Sequence, residues 1–296
     1  MPARAPLFIA LTADVDPDAN RAVAGQADAA TSGDPAGAAR TDACLGGLRA
    51  MLRLLHDASL PATLFWEGRT LDELAARAPD LIEQVRADPA IEHGCHGWRH
   101  EDFAGLDSGL PLGPAETRQA LDAAGRSFRR AFGRAPDAFR APYCRLTPHL
   151  VRALSDLGYI YDASETRSPS SDWPMRPYRI GEGGALWELA LTRGKDRHGK
   201  PISCYLWQLF EGRRPVRDYV ELAASLRAPW PGGLLQIALH PWHLIVAADG
   251  RPLQTGEGER RLAEVLGELR RLDGVAFTTA GGYLDEQQGK EDNSRH

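Results

Sequence analysis

Short apolar runs, each followed by polar side chains and separated by stretches of helical period, constrain this chain more than any other feature. Residues 8–12, 62–66, 137–141 and 234–239 read as strands, and another strand opens at Ile91. Helical patterns cover 43–56, 71–87, 114–132, 147–157, 216–226 and 259–272, so strand and helix alternate along most of the length. Such alternation predicts an α/β fold with parallel strands, whose carboxyl ends gather the chemistry. The residues at those ends are Asp14-Val15-Asp16, His96-Gly97-Trp98-Arg99-His100, Arg140-Ala141-Pro142-Tyr143 and His240-Pro241. One site assembled from four distant segments is the expectation.

With 296 residues and ordinary apolar content, the chain can bury one large core. A net charge of -5 offers no basic face for nucleic acid, and Arg126, Arg129, Arg130 and Arg134 read as a solvated helix face. No apolar run is long enough to cross a bilayer. Residues 7–11 are too few, and too soon followed by acids, for a secretory leader. A cytoplasmic protein with no membrane partner is expected. The cysteines at 44, 95, 144 and 204 form no CxxC pair and read as reduced thiols. Cys95 and Cys144 lie inside the polar segments, which puts one of them within reach of a metal, whereas Cys44 and Cys204 read as small buried hydrophobes.

Residues 17–42 lack apolar period and read as a long loop of the kind that forms a lid or sets specificity. The stretch 164–177 is an excursion rich in Ser, Pro and charge, followed by strands at 178–180 and 186–191. Residues 287–296 are polar and are expected to be a disordered tail, leaving 1–286 as a single domain.

A carboxylate and two imidazoles form a ligand set suited to zinc or a similar divalent ion, with positions left open for water and substrate. His96 and His100 are four apart, and Gly94 and Gly97 beside them argue for a tight turn. Asp14 and Asp16 project to the same side of an extended chain, so one can bind metal while the other takes a proton from water. Arg140 fits as the partner that keeps this carboxylate charged. If the leaving group is an amine it must be protonated, and His240 is the natural acid. Taken singly, each residue reads as a cap, a turn former or a satisfied polar group; their joint order at strand ends carries the functional reading. His93 and His149 read as structural, and His243 carries no assigned role.

These segments resemble the polysaccharide deacetylase family (NodB homology, carbohydrate esterase family 4) over residues 7–283, and the run from Glu92 to His100 is the strongest match. The resemblance implies a distorted (β/α) barrel of the NodB type and a metal-dependent N-deacylase. It places the base on Asp14, the metal on Asp16, His96 and His100, Arg140 beside the base, the oxyanion donor on the Tyr143 backbone N–H and the acid on His240. His240-Pro241-Trp242 followed by Gly250-Arg251-Pro252 is similar to the branch with peptidoglycan deacetylase-like and allantoinase-like members. Asp-Val-Asp replaces the common Asp-Asp-Gly, and Cys144 stands where many members have Gly. Asp172-Trp173-Pro174 is the nearest counterpart of the motif whose Asp orients the acid, which makes Asp172 the candidate for that task.

The expected activity is removal of an acyl group, acetyl first, from an N-acylated amino sugar or small amide. Cyclic amide or ureide hydrolysis and a non-catalytic ligand-binding barrel are the alternatives. The expected cofactor is zinc, ahead of cobalt, nickel or manganese. The partner is a small-molecule or saccharide substrate, for which Trp66, Trp98, Trp173 and Trp242 are the candidate groove aromatics. Pairing into a homo-oligomer through helices stays open, since no heptad seam demands it.

Overall fold

The computed structural model describes residues 5–18, 22–28 and 37–293. Twelve strands are found among them: β1 (Leu7–Val15), β2 (Ala62–Trp66), β3 (Ile91–Cys95), β4 (Ala138–Phe139), β5 (Tyr161–Asp162), β6 (Thr166–Arg167), β7 (Tyr178–Ile180), β8 (Leu186–Glu188), β9 (Leu191–Lys195), β10 (Pro201–Ser203), β11 (Leu234–Leu239) and β12 (Val275–Phe277). The helices are α1 (Gly37–Ala58), α2 (Gly68–Arg77), α3 (Pro79–Ala87), α4 (Pro114–Phe132), α5 (Pro148–Asp156), α6 (Trp207–Phe210), α7 (Val216–Arg227), α8 (Glu257–Arg270) and α9 (Ala280–Asn293). Every residue of β1, β2 and β11 is buried. Strands covered on both faces are the mark of a parallel sheet wrapped by helices, and their unbroken apolar sequences follow from it.

The sheet runs β11-β1-β2-β3-β4-β5-β8-β7, parallel except for the final β7/β8 pair. A second sheet, β10-β9-β6, leads from β8 back toward β11. The last gap is bridged by Cys204, Tyr205 and Leu206. Cys204 N–H donates to Thr192 C=O at 3.2 Å, Ala238 N–H to Cys204 C=O at 3.1 Å, and Leu206 N–H to Ala238 C=O at 2.7 Å. The result is the expected distorted (β/α) barrel, with the excursion after β5 supplying the closing wall.

Several boundaries differ from the sequence reading for local reasons. The span 71–87 is two helices, because Pro79 has no N–H to continue α2 and instead opens α3 after the non-helical Ala78. Helix α1 begins at Gly37, within the stretch read as loop. It packs so closely on the turn 241–244 that a Cβ at Gly47 would lie 1.9 Å from Pro241 O. Of the remaining loop, 19–21 and 29–36 lie outside the described residues. Residues 22–28 rest on the loop after β3, where Gly25 N–H donates to Ser108 C=O and Asp102 N–H to Ala27 C=O, both at 2.8 Å.

The disordered tail expected from 287 onward is replaced by helix as far as Asn293, with 294–296 outside the described residues. Tyr283, Leu284 and Gln287 are buried on one face of α9, Tyr283 O–H donates to Gly232 C=O at 2.8 Å, and Arg176 donates to the Gln287 side chain. Once these first turns are anchored, each further residue adds a bond at small entropic cost, so the polar sequence continues as helix.

Candidate active site

The β1 strand delivers Asp14 and Asp16 to the carboxyl end of the barrel, two residues apart and both buried. They meet different surroundings. Asp14 Oδ1 accepts from Arg140 Nη1 at 2.9 Å, and Asp14 Oδ2 accepts from the Tyr205 hydroxyl. Arg140 is immobilised by its other donors: Nε to Ala163 C=O at 3.0 Å, Nη1 to Thr12 Oγ1 at 3.0 Å, and Nη2 to Gln236 Oε1 at 2.9 Å. Its guanidinium lies 4.4 Å over the Phe65 ring. Burial pushes the Asp14 carboxyl up, but Arg140, with His96, His240 and the Tyr205 bond, outweighs it and holds the group well below the ordinary range.

Asp16 faces imidazoles. One ligand atom each from Asp16, His96 and His100 lie within 4.8 Å of one another. His96 Nε2 is 3.5 Å from Asp16 Oδ2, and His100 Nε2 is 3.8 Å from Asp16 Oδ1. His96 Nδ1–H donates to Arg140 C=O at 2.7 Å, which selects the tautomer and turns the Nε2 lone pair toward Asp16. His100 Nδ1 is 3.2 Å from Asp18 Oδ2, and Asp18 N–H donates to Asp16 Oδ1 at 2.8 Å. The turn between the histidines is tight as expected. Gly97 has φ 76°, and a Cβ there would lie 2.6 Å from the Glu101 carboxylate. That carboxylate accepts from Trp98 N–H at 3.0 Å and Arg99 N–H at 2.9 Å. His100 itself is left-handed at φ 54°.

Burial raises the Asp16 carboxyl well above the ordinary range, and the negative charges of Asp18, Asp14 and Glu67 add to it. Burial also lowers the pKa values of His96 and His100, keeping both neutral. Asp16 Oδ2 is buried with no hydrogen-bond partner. An orphaned carboxylate oxygen facing two neutral imidazoles, in a site short of positive charge, fits a divalent cation.

His240 follows β11 and joins the same centre, its Nε2 3.6 Å from Asp16 Oδ2. Burial, partly opposed by Asp14, lowers its pKa to about 3. Its ring lies 5.4 Å from Tyr205, 5.6 Å from Trp207 and 5.4 Å from Trp242. Tyr143 sits at φ 58° with its ring edge-on to His100 at 4.6 Å. The structure thus brings Asp14, Asp16, His96, His100, Arg140, Tyr143 and His240 together.

Asp172 does not join them. It is exposed and bonded to Ser171 Oγ at 3.5 Å, because the Trp173 ring beside it, not the carboxylate, turns into the core. The buried His243 ring lies 6.3 Å from that of His240, and its Nε2 is 3.2 Å from Glu211 Oε1. Cys44 and Cys204 are buried as read, and neither Cys95 nor Cys144 is in the ligand set; the Cys44 thiol, on α1, donates to Asp16 C=O at 3.2 Å. Trp66, Trp173 and Trp242 are buried in the core, and of the four expected groove aromatics only Trp98 is half-exposed. His93 is structural, taking the Trp66 indole N–H at 3.2 Å, donating to Val85 C=O at 3.0 Å and stacking on Phe132 at 4.3 Å.

Sequence reasoning missed Tyr205, Thr12, Gln236, Asp18 and Glu101. Thr12 and Asp18 were within reach, since period two places them on the face of Asp14 and Asp16, and Glu101 adjoins a ligand. Gln236 was within reach by the same rule, as the one polar residue of the run 234–239 and in phase with His240; Tyr205 carries no local signal.

Residues 42–161 match the family model described as polysaccharide deacetylase. No curated protein sequence matches the chain. Among solved structures, a protein of Mycobacterium smegmatis provisionally assigned as a polysaccharide deacetylase is similar at 23% identity and TM-score 0.69, covering 98% of this chain and 93% of its own. The PuuE allantoinase is similar at 18% identity and TM-score 0.64, over 96% of this chain and 90% of its own. A carbohydrate esterase family 4 pseudoenzyme from Bacillus anthracis is similar at 15% and 0.53, over 95% and 66%. At these identities the structural likenesses establish the fold alone, and the pseudoenzyme among them shows that the barrel by itself does not guarantee turnover. No helix among the described residues is long and apolar enough to cross a membrane. Residues 42–161 thus match a polysaccharide deacetylase model, the barrel is the one shared with the solved structures named above, and Asp16, His96 and His100 form a possible metal site at its carboxyl end.

Proposed function

We propose that this protein hydrolyses the amide of a small N-acylated molecule, an acetylated amino sugar first among them. The observation that carries the reading is the pairing of an Arg140-clamped Asp14 with an Asp16, His96 and His100 ligand set on the same strand end. Bound there, a divalent ion, zinc ahead of cobalt, nickel or manganese, would lower the pKa of a water toward neutrality and polarise the amide carbonyl. Asp14 receives the proton of the attacking water, and Arg140 keeps that carboxylate anionic and aimed. The Tyr143 backbone N–H donates to the developing oxyanion. His240 gives a proton to the departing nitrogen, and the negative charge of the adduct offsets the burial that lowers its pKa.

Enclosure favours a small substrate over a polymer. The side chains named for the reaction, from Asp16 at 0% to His240 at 7% exposure, are almost fully covered. A polymer would need an open, aromatic-lined groove, and the tryptophans expected to line one are mostly core. The same enclosure supports a second reading, opening of a cyclic amide or ureide, which uses the same base, cation and acid.

The two are separated by incubating zinc- or cobalt-loaded protein with N-acetylated sugars, oligosaccharides, acetylpolyamines and cyclic ureides. Free acetate or formate, absent with Asp14→Asn, supports deacylation; ring opening without a released acid supports the second reading. Stoichiometric metal with no turnover of any amide would overturn both.

A further inference from the structure

We propose that Tyr205 is a second positioning residue for the base, holding the Asp14 oxygen that Arg140 does not. The inference rests on the reading of Asp14 as a base. A carboxylate held at one oxygen can still turn about its Cβ–Cγ bond, because that terminal torsion is broad. Arg140 Nη1 holds Oδ1, and the Tyr205 hydroxyl donates to Oδ2, so both ends of the carboxylate are pinned. Each oxygen keeps a further lone pair for the incoming proton.

The phenol is itself placed by the barrel closure. Tyr205 pairs with Ala238 of β11, flanked by the bonds from Ala238 N–H to Cys204 C=O at 3.1 Å and from Leu206 N–H to Ala238 C=O at 2.7 Å. Ala238 lies two residues before His240, and the Tyr205 ring packs 5.4 Å from the His240 ring. One short segment therefore fixes the distance between the group that takes a proton and the group that gives one. Burial and the negative charge of Asp14 raise the Tyr205 pKa well above the ordinary range, so the hydroxyl stays a donor.

The test is Tyr205→Phe in the full zinc-loaded chain, on an amide that the wild type turns over. The expected result is a fall in kcat of about 10–100-fold, part of the range that general-base catalysis supplies. KM, zinc affinity and melting temperature stay unchanged. Combined with Asp14→Asn, Tyr205→Phe adds no further loss, because a residue that acts through Asp14 has nothing left to position. If Tyr205→Phe does not fold, Tyr205→His, which keeps a ring donor, serves in its place with a partial loss of kcat. An unchanged kcat, or a further loss on top of Asp14→Asn, overturns the proposal. The ¹³C carboxyl resonance of Asp14, assigned by its absence in Asp14→Asn, reads the contact without turnover. It moves in Tyr205→Phe if the phenol holds the carboxylate, and an unmoved resonance also overturns the proposal. A wild type that hydrolyses no amide while this resonance does move would defeat the hydrolase reading and leave the contact standing.

Discussion

Asp14 and Asp16 leave the same strand two residues apart, and their environments are opposites. Around Asp14 the protein supplies everything an anion needs: a guanidinium, a phenol hydroxyl and a carboxyl held low. Around Asp16 it supplies further carboxylates, two neutral imidazoles and an oxygen with no partner. Burial is equal, so desolvation cannot explain the contrast; the neighbours do. One side of the site is complete in the polypeptide, and the other keeps an unpartnered carboxylate oxygen that fits a cation.

Exchanging each carboxylate for its amide breaks the comparison most sharply. Asp14→Asn is expected to lower kcat by about 10³-fold or more, as loss of a general base does, with zinc stoichiometry intact by metal analysis. It also leaves Arg140 buried without its counter-charge, at a cost of about 3–5 kcal/mol read by denaturant unfolding. Asp16→Asn is expected to do the reverse. Zinc affinity falls by about 100-fold or more in a competition titration, as loss of one ligand of three exceeds the effect of losing an outer-shell partner. The metal-free protein becomes more stable, because a crowded carboxylate has been discharged. Zinc should raise the melting temperature of the wild type and not of Asp16→Asn, since a ligand stabilises only the fold it binds. A metal-free Asp16→Asn that melts below the wild type would mean that the Asp16 side is also complete without a cation.

His93 gives a smaller effect, away from the metal. Burial lowers its pKa from 6.5 to about 4. Between those values the unfolded chain carries a proton that the native imidazole does not, so stability rises with pH across this window and falls as pH drops through it. The difference is about 3 kcal/mol at most. His93→Gln should flatten the acid limb of the stability profile between pH 6.5 and 4, whatever it does to stability at pH 8. Smallest of all, Asp172→Ala should leave kcat and KM within about twofold, as an exposed side chain away from His240 should. A larger loss would return Asp172 to the acid's surroundings and displace His243 from them.

The site was legible where chemistry and strand end coincide in sequence. Asp14, Asp16, His96, His100, Arg140 and His240 each follow an apolar run, and that pattern alone collected them. Asp172 was misplaced because a motif names a residue type and a neighbouring Trp, and in this chain it is the Trp that packs inward. Cys44 is buried as read, but its contact with the Asp16 carbonyl was not legible, because nothing in a helix sequence tells which turn will cover a strand end. The tail was misread because anchoring by Tyr283, Leu284 and Gln287 depends on what lies beneath them.

By itself the sequence determined the alternation of strand and helix, the placement of the candidate carboxylates, imidazoles and arginine at strand ends, and the pairing of a carboxylate with that arginine. Period-two burial and strand-end placement are local consequences of backbone geometry and apolar patterning. Only the tertiary structure decided how the barrel closes, and with it which residues complete the site. Tyr205 meets Asp14 across 191 residues, and Gln236 meets Arg140 across 96. Such contacts come from the hydrogen bonds of Cys204 and Leu206 to Ala238, which exist only once the wall is in place. The division of labour between the two aspartates follows the same rule: identical side chains on one strand acquire opposite electrostatics from neighbours that the fold brings to them.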